Sequence, residues 1–225
     1  MTTLLLIKIA VSIATVIGLS LIAEHVNPRI AGLLSGYPLG TAIALFFIGY
    51  EISPEFAAEG AVYTLAGFAS TLMLTTGYLF GLNRLTSAQE LNHPTKQQQQ
   101  ETGGWLAIIV ASISGVALFL ISGLAIDQLE LNLITAACLP TLAILGCLWF
   151  YRHIPETQVT KRVAMSVSVL LFRAVTAALI VVLITGAAHL VPSSTAGILA
   201  AFPISMFPFL VLMHRTYGPG KALTV

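Results

Sequence analysis

Seven stretches of the chain are apolar over the roughly 20 residues that a helix needs to cross a hydrocarbon core. They lie near 4–26, 28–51, 56–82, 105–126, 131–151, 166–191 and 194–214. Charged residues are 8% of the chain and hydrophobic residues 57%, with a mean hydropathy of +0.93. Soluble domains carry roughly 25% charge, so lipid is the solvent these segments suit. The expected fold class is all-α, a polytopic transmembrane helical bundle. A formal net charge of +1 leaves no basic surface for nucleic acid. Cys138 and Cys147 share one apolar segment, too far apart along a helix to form a disulfide.

Helix punctuation agrees with several of these ends. Asn27-Pro28 supplies an N-cap and a first-turn proline, Pro54 follows the second segment, and Pro192-Ser193-Ser194 separates the last two. The first segment has no small-residue cleavage site and is expected to be a retained helix rather than a signal peptide. Asn83 to Gly104, with glutamine at 97–100, is the one long polar stretch and is expected to be a mobile loop.

The chain also resembles itself. Ile30-Ala-Gly-Leu-Leu-Ser-Gly-Tyr-Pro-Leu39 returns as Thr195-Ala-Gly-Ile-Leu-Ala-Ala-Phe-Pro-Ile204, a constant spacing of 165 positions that also pairs Lys8 with Arg173, Glu24 with His189 and Pro54 with Pro219. The copies begin at the first and sixth segments, an odd interval, so an inverted internal repeat is expected, the architecture of many transporters. Residues 1–126 form the first transmembrane repeat, with a polar loop near 83–104. Residues 127–163 form a linking helix and cytoplasmic loop, and 164–225 a second, shortened repeat. Cations cluster in the loops after the odd-numbered segments (Arg29, Arg84, Lys96, Arg152, Lys161, Arg162, Arg215, Lys221). The opposite side holds Glu51, Glu55, Glu59, Asp127 and Glu130, with Lys8 its one discordant cation. The expected location is the cell membrane, multi-pass, with the N-terminus outside and the C-terminus cytoplasmic.

Within the repeat, Gly32, Gly36, Gly40 and Ala44 form a small-residue stripe that Gly197, Ala201 and Ser205 repeat; such stripes serve close helix packing in lipid. Pro38 and Pro203 interrupt these helices at matched positions, a pointer to a binding site near the midplane, though ordinary proline kinks are also common in such helices. Tyr37 and Phe202, directly before the prolines, either line that opening or pack. Lys8, Ser12 and Thr15 share one helix face. Lys8, Ser12, Tyr37, Pro38, Arg173, Phe202 and Pro203 are thus the candidate substrate-binding residues, with snorkelling to the interface as the plainer role for both cations. Glu24 and His189 are candidates for proton relay, or else interfacial groups in contact with water.

No phosphate loop, nucleophile elbow or metal-ligand cluster occurs, so no enzyme activity, catalytic residue, metal or cofactor is expected. The order of a cation near the start of the first segment, an acid near its end, Ile30-Ala31-Gly32-Leu33, an aromatic with Pro38 and Gly49-Tyr50-Glu51 resembles the GlpM-like family of small bacterial inner-membrane proteins. The likeness covers roughly residues 5–80 and, more faintly, 170–225. It implies a duplicated unit of four helices and a membrane role, linked in some members to envelope polysaccharide production. The second copy stops at Val225, where the family pattern would continue, so it is shortened, or the chain is a fragment, or another subunit completes it.

Two functions remain open. One is a small secondary transporter or flippase-like carrier of a small anionic or lipid-linked substrate, with its site between the paired proline helices. The other is a non-transporting scaffold or accessory subunit of an envelope-biogenesis system, bound to itself as a homo-oligomer or to a partner membrane subunit. Single cysteines at Arg29, Ser53, Gln98, Glu130, Arg162 and Ser193, in a background lacking Cys138 and Cys147, test the expected topology. Labelling of intact cells with an impermeant reagent should reach Ser53, Glu130 and Ser193 and spare the other three.

Overall fold

The computed structural model describes residues 2–25, 38–91, 96–151 and 167–217, and among these the backbone is helical with short turns and no strand. In chain order the helices are α1 (Thr2–His25), α2 (Leu39–Glu51), α3 (Pro54–Leu91), α4 (Lys96–Asp127), α5 (Leu133–Tyr151), α6 (Val167–Ala187), α7 (Ser193–Ala200) and α8 (Met206–Tyr217). Among the described residues, three segments are long and apolar enough to cross a membrane: Pro54–Leu82 in α3, Gly104–Asp127 in α4 and Leu170–Ala187 in α6. Apolar stretches of α1, α2 and α5 are shorter. Side chains such as Val175, Leu179 and Leu183 of α6, or Ile109, Ile113 and Ile121 of α4, are exposed along outward faces. Such faces suit lipid rather than water.

Two expectations are corrected. The segment near 194–214 is not one helix but α7 and α8, with Ala201–Ser205 between them non-helical. Proline explains the stop. Pro203 has no N–H to offer the carbonyl of Leu199, which instead takes the N–H of Phe202 at 3.0 Å, closing a tighter final turn. Likewise the polar stretch 83–104 is helical over 83–91, where α3 continues to Leu91, and over 96–104, where α4 starts at Lys96; residues 92–95 lie outside the described residues. Its Gln, Glu, Lys, Leu and Ala residues are strong helix formers. At 38 residues α3 is about 57 Å long, well beyond a hydrocarbon core of ~30 Å. Pro140 lies within α5 and does not divide it.

Helix α3 is the spine, packing along α4, α5 and α7 and touching α2. Its start is capped by Ser53, whose Oγ accepts the N–H of Phe56 at 3.1 Å, and Asn132 caps α5 in the same way through the N–H groups of Ile134 and Thr135. Where α3 crosses α7, Gly60 and Gly197 lie backbone to backbone; a Cβ on Gly197 would run into the carbonyl of Gly60. One turn on, Thr64 donates its hydroxyl to the carbonyl of Gly197 at 2.7 Å, and Thr71 donates to that of Ala201 at 2.9 Å. Helix α1 packs along α6, and the two run antiparallel, since Lys8 near the start of α1 meets Thr185 near the end of α6. An apolar core of Ala44, Phe47, Ile48, Val181, Ile184, Ala196 and Ile204 joins α2, α6 and α7.

Gly197→Ala should therefore destabilise the fold by about 1–3 kcal/mol or more, because the neighbour it strikes is backbone and cannot give way. Gly146→Ala, with open space around its Cβ, should be neutral or slightly stabilising. Thermal unfolding in detergent, read for both variants in parallel, checks the difference.

Candidate functional site

The helix break at Ala201–Ser205 is seated against the first turn of α2. A Cβ on Gly40 would come 2.7 Å from the Cβ of Ile204. The region after Pro38 and the region after Pro203 therefore meet. Beside this contact lies a cavity of about 20 Å³ between α1, α2, α6 and the break, room for about one water molecule. Eight of its lining residues form pairs that stand 165 positions apart in the chain: Ser12 with Ala177, Val16 with Val181, Leu39 with Ile204, and Gly40 with Ser205. Thr15 and Ile43 complete the lining. The hydroxyl of Ser12 is buried there with no hydrogen-bond partner.

One turn of α1 before Ser12, the chain carries a buried charge cluster. The Lys8 ammonium lies 2.6 Å from Glu51 Oε1 at the end of α2 and donates to the Thr185 hydroxyl of α6 at 2.7 Å. Thr185 in turn donates to the carbonyl of Val181 at 2.9 Å. His189 Nε2 approaches Glu51 Oε2 at 3.2 Å. The side chains of Lys8 and Glu51 are 7% and 11% exposed, whereas that of His189 is 49% exposed. The Phe47 ring, with its centroid 5.9 Å from the ammonium, adds a cation–π contact. Glu51 occupies the last turn of α2, where the helix dipole alone disfavours an anion, and Lys8 offsets that.

The candidate residues thus divide. Lys8, Ser12 and His189 belong to this region, and Pro38 and Pro203 flank it. The residues that line the cavity are those after the prolines, Leu39, Gly40, Ile204 and Ser205. Phe202 instead stacks edge-on with Phe119 at 5.3 Å and with Phe207 at 5.5 Å. Arg173 is buried near the opposite end of α6, about 18 Å along the axis from Thr185. Gly197 and Ala201 pack on α3 against Gly60 and Gly67, while Ser205 faces the cavity. Tyr37, Gly32, Gly36 and the side chain of Glu24 lie outside the described residues.

Sequence reasoning missed Glu51 and Thr185 as the partners of Lys8, although a lone cation on the acidic side of the chain is itself a signal for an ion pair. It also missed the small-residue seam of α3, where Gly77 and Gly81 meet Ser114 and Ala111 of α4. A second buried polar pair, Tyr78 Oη with His214 Nδ1 at 2.7 Å, joins α3 to α8. Asp127 at the end of α4 accepts the Thr195 hydroxyl at 2.9 Å beside the first turn of α7. No metal-ligating cluster occurs among the described residues. No family model, curated protein or solved structure matches the chain.

Removing one member of a buried pair leaves an uncompensated charge. Lys8→Met should cost about 3–5 kcal/mol, and combining it with Glu51→Leu should restore most of that. A double-mutant cycle of thermal unfolding in detergent tests the coupling.

Proposed function

We propose that this chain is a small secondary carrier of seven spans, two halves of which form an inverted repeat that exposes the central cavity alternately to the two sides of the membrane. The observation that carries this reading is the lining of the cavity by residues 165 positions apart. Residues equivalent in two copies gather around one point only when that point lies on the axis relating the copies. The antiparallel course of α1 and α6, which are equivalent by the same spacing, supports an axis in the membrane plane. The meeting of the two post-proline segments supports a site where helices are interrupted.

In the arrangement described, the cavity is too small for a solute and Lys8 is neutralised by Glu51, so the carrier stands closed. Opening at the Lys8 end separates α1 from α2 and α6. The freed ammonium is then the charge that a small anionic or lipid-linked substrate meets. The short non-helical stretch at 201–205 is the hinge, because its backbone is already released from the helical ladder and needs little further disruption to move. The N-terminus outside and a bacterial inner-membrane setting belong to the same reading, as does membership of the GlpM-like family.

The scaffold alternative draws on α5. It packs on α3 and exposes Leu133, Ile134, Leu142, Leu148 and Trp149, a face open to lipid or to a partner helix. Two-sided accessibility separates the two readings. A single cysteine at Ser205, in the background lacking Cys138 and Cys147, should be labelled by an impermeant reagent from both faces of oriented vesicles. Pro203→Ala favours a continuous helix by up to about 3 kcal/mol, so it should slow labelling from one face by about a hundredfold. A scaffold gives labelling from one face or neither and is indifferent to Pro203→Ala.

A further inference from the structure

We infer that the carrier is coupled to protons, with Glu51 as the proton-binding group and His189 as the group that delivers the proton to it. This inference rests on the carrier reading and names its coupling ion. Glu51 is the carboxylate that holds α1 against α2 and α6: Lys8 lies 2.6 Å away on α1, Thr185 is on α6, and His189 is in the turn directly after α6. It is nearly enclosed and reaches water poorly by itself. His189, half exposed and 3.2 Å from Glu51 Oε2, spans that gap. An imidazole is the side chain whose ordinary charge change falls between about pH 5 and 8, so it exchanges protons with water where the carboxylate cannot.

His189, protonated from water on its exposed side, gives the Nε2 proton to Glu51 Oε2 and is left a neutral imidazole with its remaining proton on Nδ1. Glu51 becomes an uncharged acid. Lys8 then has the uncharged Glu51 Oε1, the Thr185 hydroxyl and the Phe47 face around a buried ammonium, and none of them neutralises its charge. A buried unpaired cation is drawn toward water, and the way to it is for α1 to leave α2 and α6. Protonation thereby opens the cavity on the side of His189, and loss of the proton reseals it. Other charges around Glu51 do not compete for Lys8 in the closed state. Glu55 and Glu59 on the first turns of α3 are exposed, α7 carries no charged residue, and Lys8 is the one charge of α1 among the side chains described at that end.

The reporter is again Ser205→Cys lacking Cys138 and Cys147, in lipid vesicles, with labelling from the face that bears His189. Acid should accelerate labelling by about tenfold between about pH 8 and pH 5.5. The chemistry of the thiol runs the other way, because acid depletes thiolate, and an exposed Glu55→Cys at the same end of α3 measures that background. Adding Glu51→Gln should give fast labelling at both pH values. His189→Gln should leave the end points unchanged and slow the response to a pH jump. If labelling alternates between the two faces but ignores pH and Glu51→Gln, the proton inference is overturned and the carrier stands. If Ser205→Cys is reached from one face or neither in every variant and at every pH, both fall. Should Glu51→Gln fail to fold, the pH series on the parent and the His189→Gln pH jump decide alone.

Discussion

Where water is absent, a carbonyl released from its helix must find a donor nearby, and that requirement shapes this protein around α3. Breaking the helix at 201–205 frees backbone groups in the middle of the structure. Thr64 and Thr71, two turns apart on α3, reach the carbonyls of Gly197 and Ala201 on the other helix. They reach because Gly60 and Gly197 bring the two backbones into contact. A side chain at either glycine would lift the helices apart and strand the Ala201 carbonyl, at a cost of about 1–3 kcal/mol, whereas that of Gly197 still accepts the N–H of Ala201 at 3.2 Å. Close approach and the helix break thus require each other. The break in turn places Ile204 on Gly40, which sets the wall of the central cavity.

The charged cluster obeys a different balance. Burying Lys8 and Glu51 costs several kcal/mol per ion before their attraction is counted, so the pair adds little net stability. What it adds is a condition on geometry: α1, α2 and α6 can close only in the register that brings ammonium and carboxylate together. An apolar pair of similar volume would hold those helices more firmly and with less discrimination. Such a pair would lack any state in which the contact switches off. This is the physical reason to place regulation at Lys8 and Glu51 rather than at the apolar core of α2, α6 and α7.

Much of the helical character was legible because apolar runs of this length have few structural alternatives, and the position of the break was legible because proline cannot donate. The extent of α3 and α4 was not. A glutamine-rich segment has high helix propensity and low hydropathy, and reading polarity as loop mistook solvent preference for backbone preference. At the site, Lys8 and Ser12 were found from spacing along their own helix, and His189 from its match to Glu24 165 positions earlier. Glu51 escaped because its role depends on a contact 43 positions away, which periodicity within one helix does not encode. Phe202 was drawn in by its place beside Pro203, but on the non-helical stretch 201–205 it turns to Phe119 and Phe207, and the residues after the proline face the cavity instead.

The pairs around the cavity are not identical, and that matters for what such a centre can recognise. Two identical chains arranged about an axis would present every hydroxyl twice, once from each side. Ser12 corresponds to Ala177, and Ser205 to Gly40, so in each of these pairs the hydroxyl of one member has no counterpart in the other. The repeat proposed above is therefore not an exact one at this centre. In the proposed carrier the cavity can tell one end of a bound molecule from the other, which two identical subunits related by a two-fold axis cannot do.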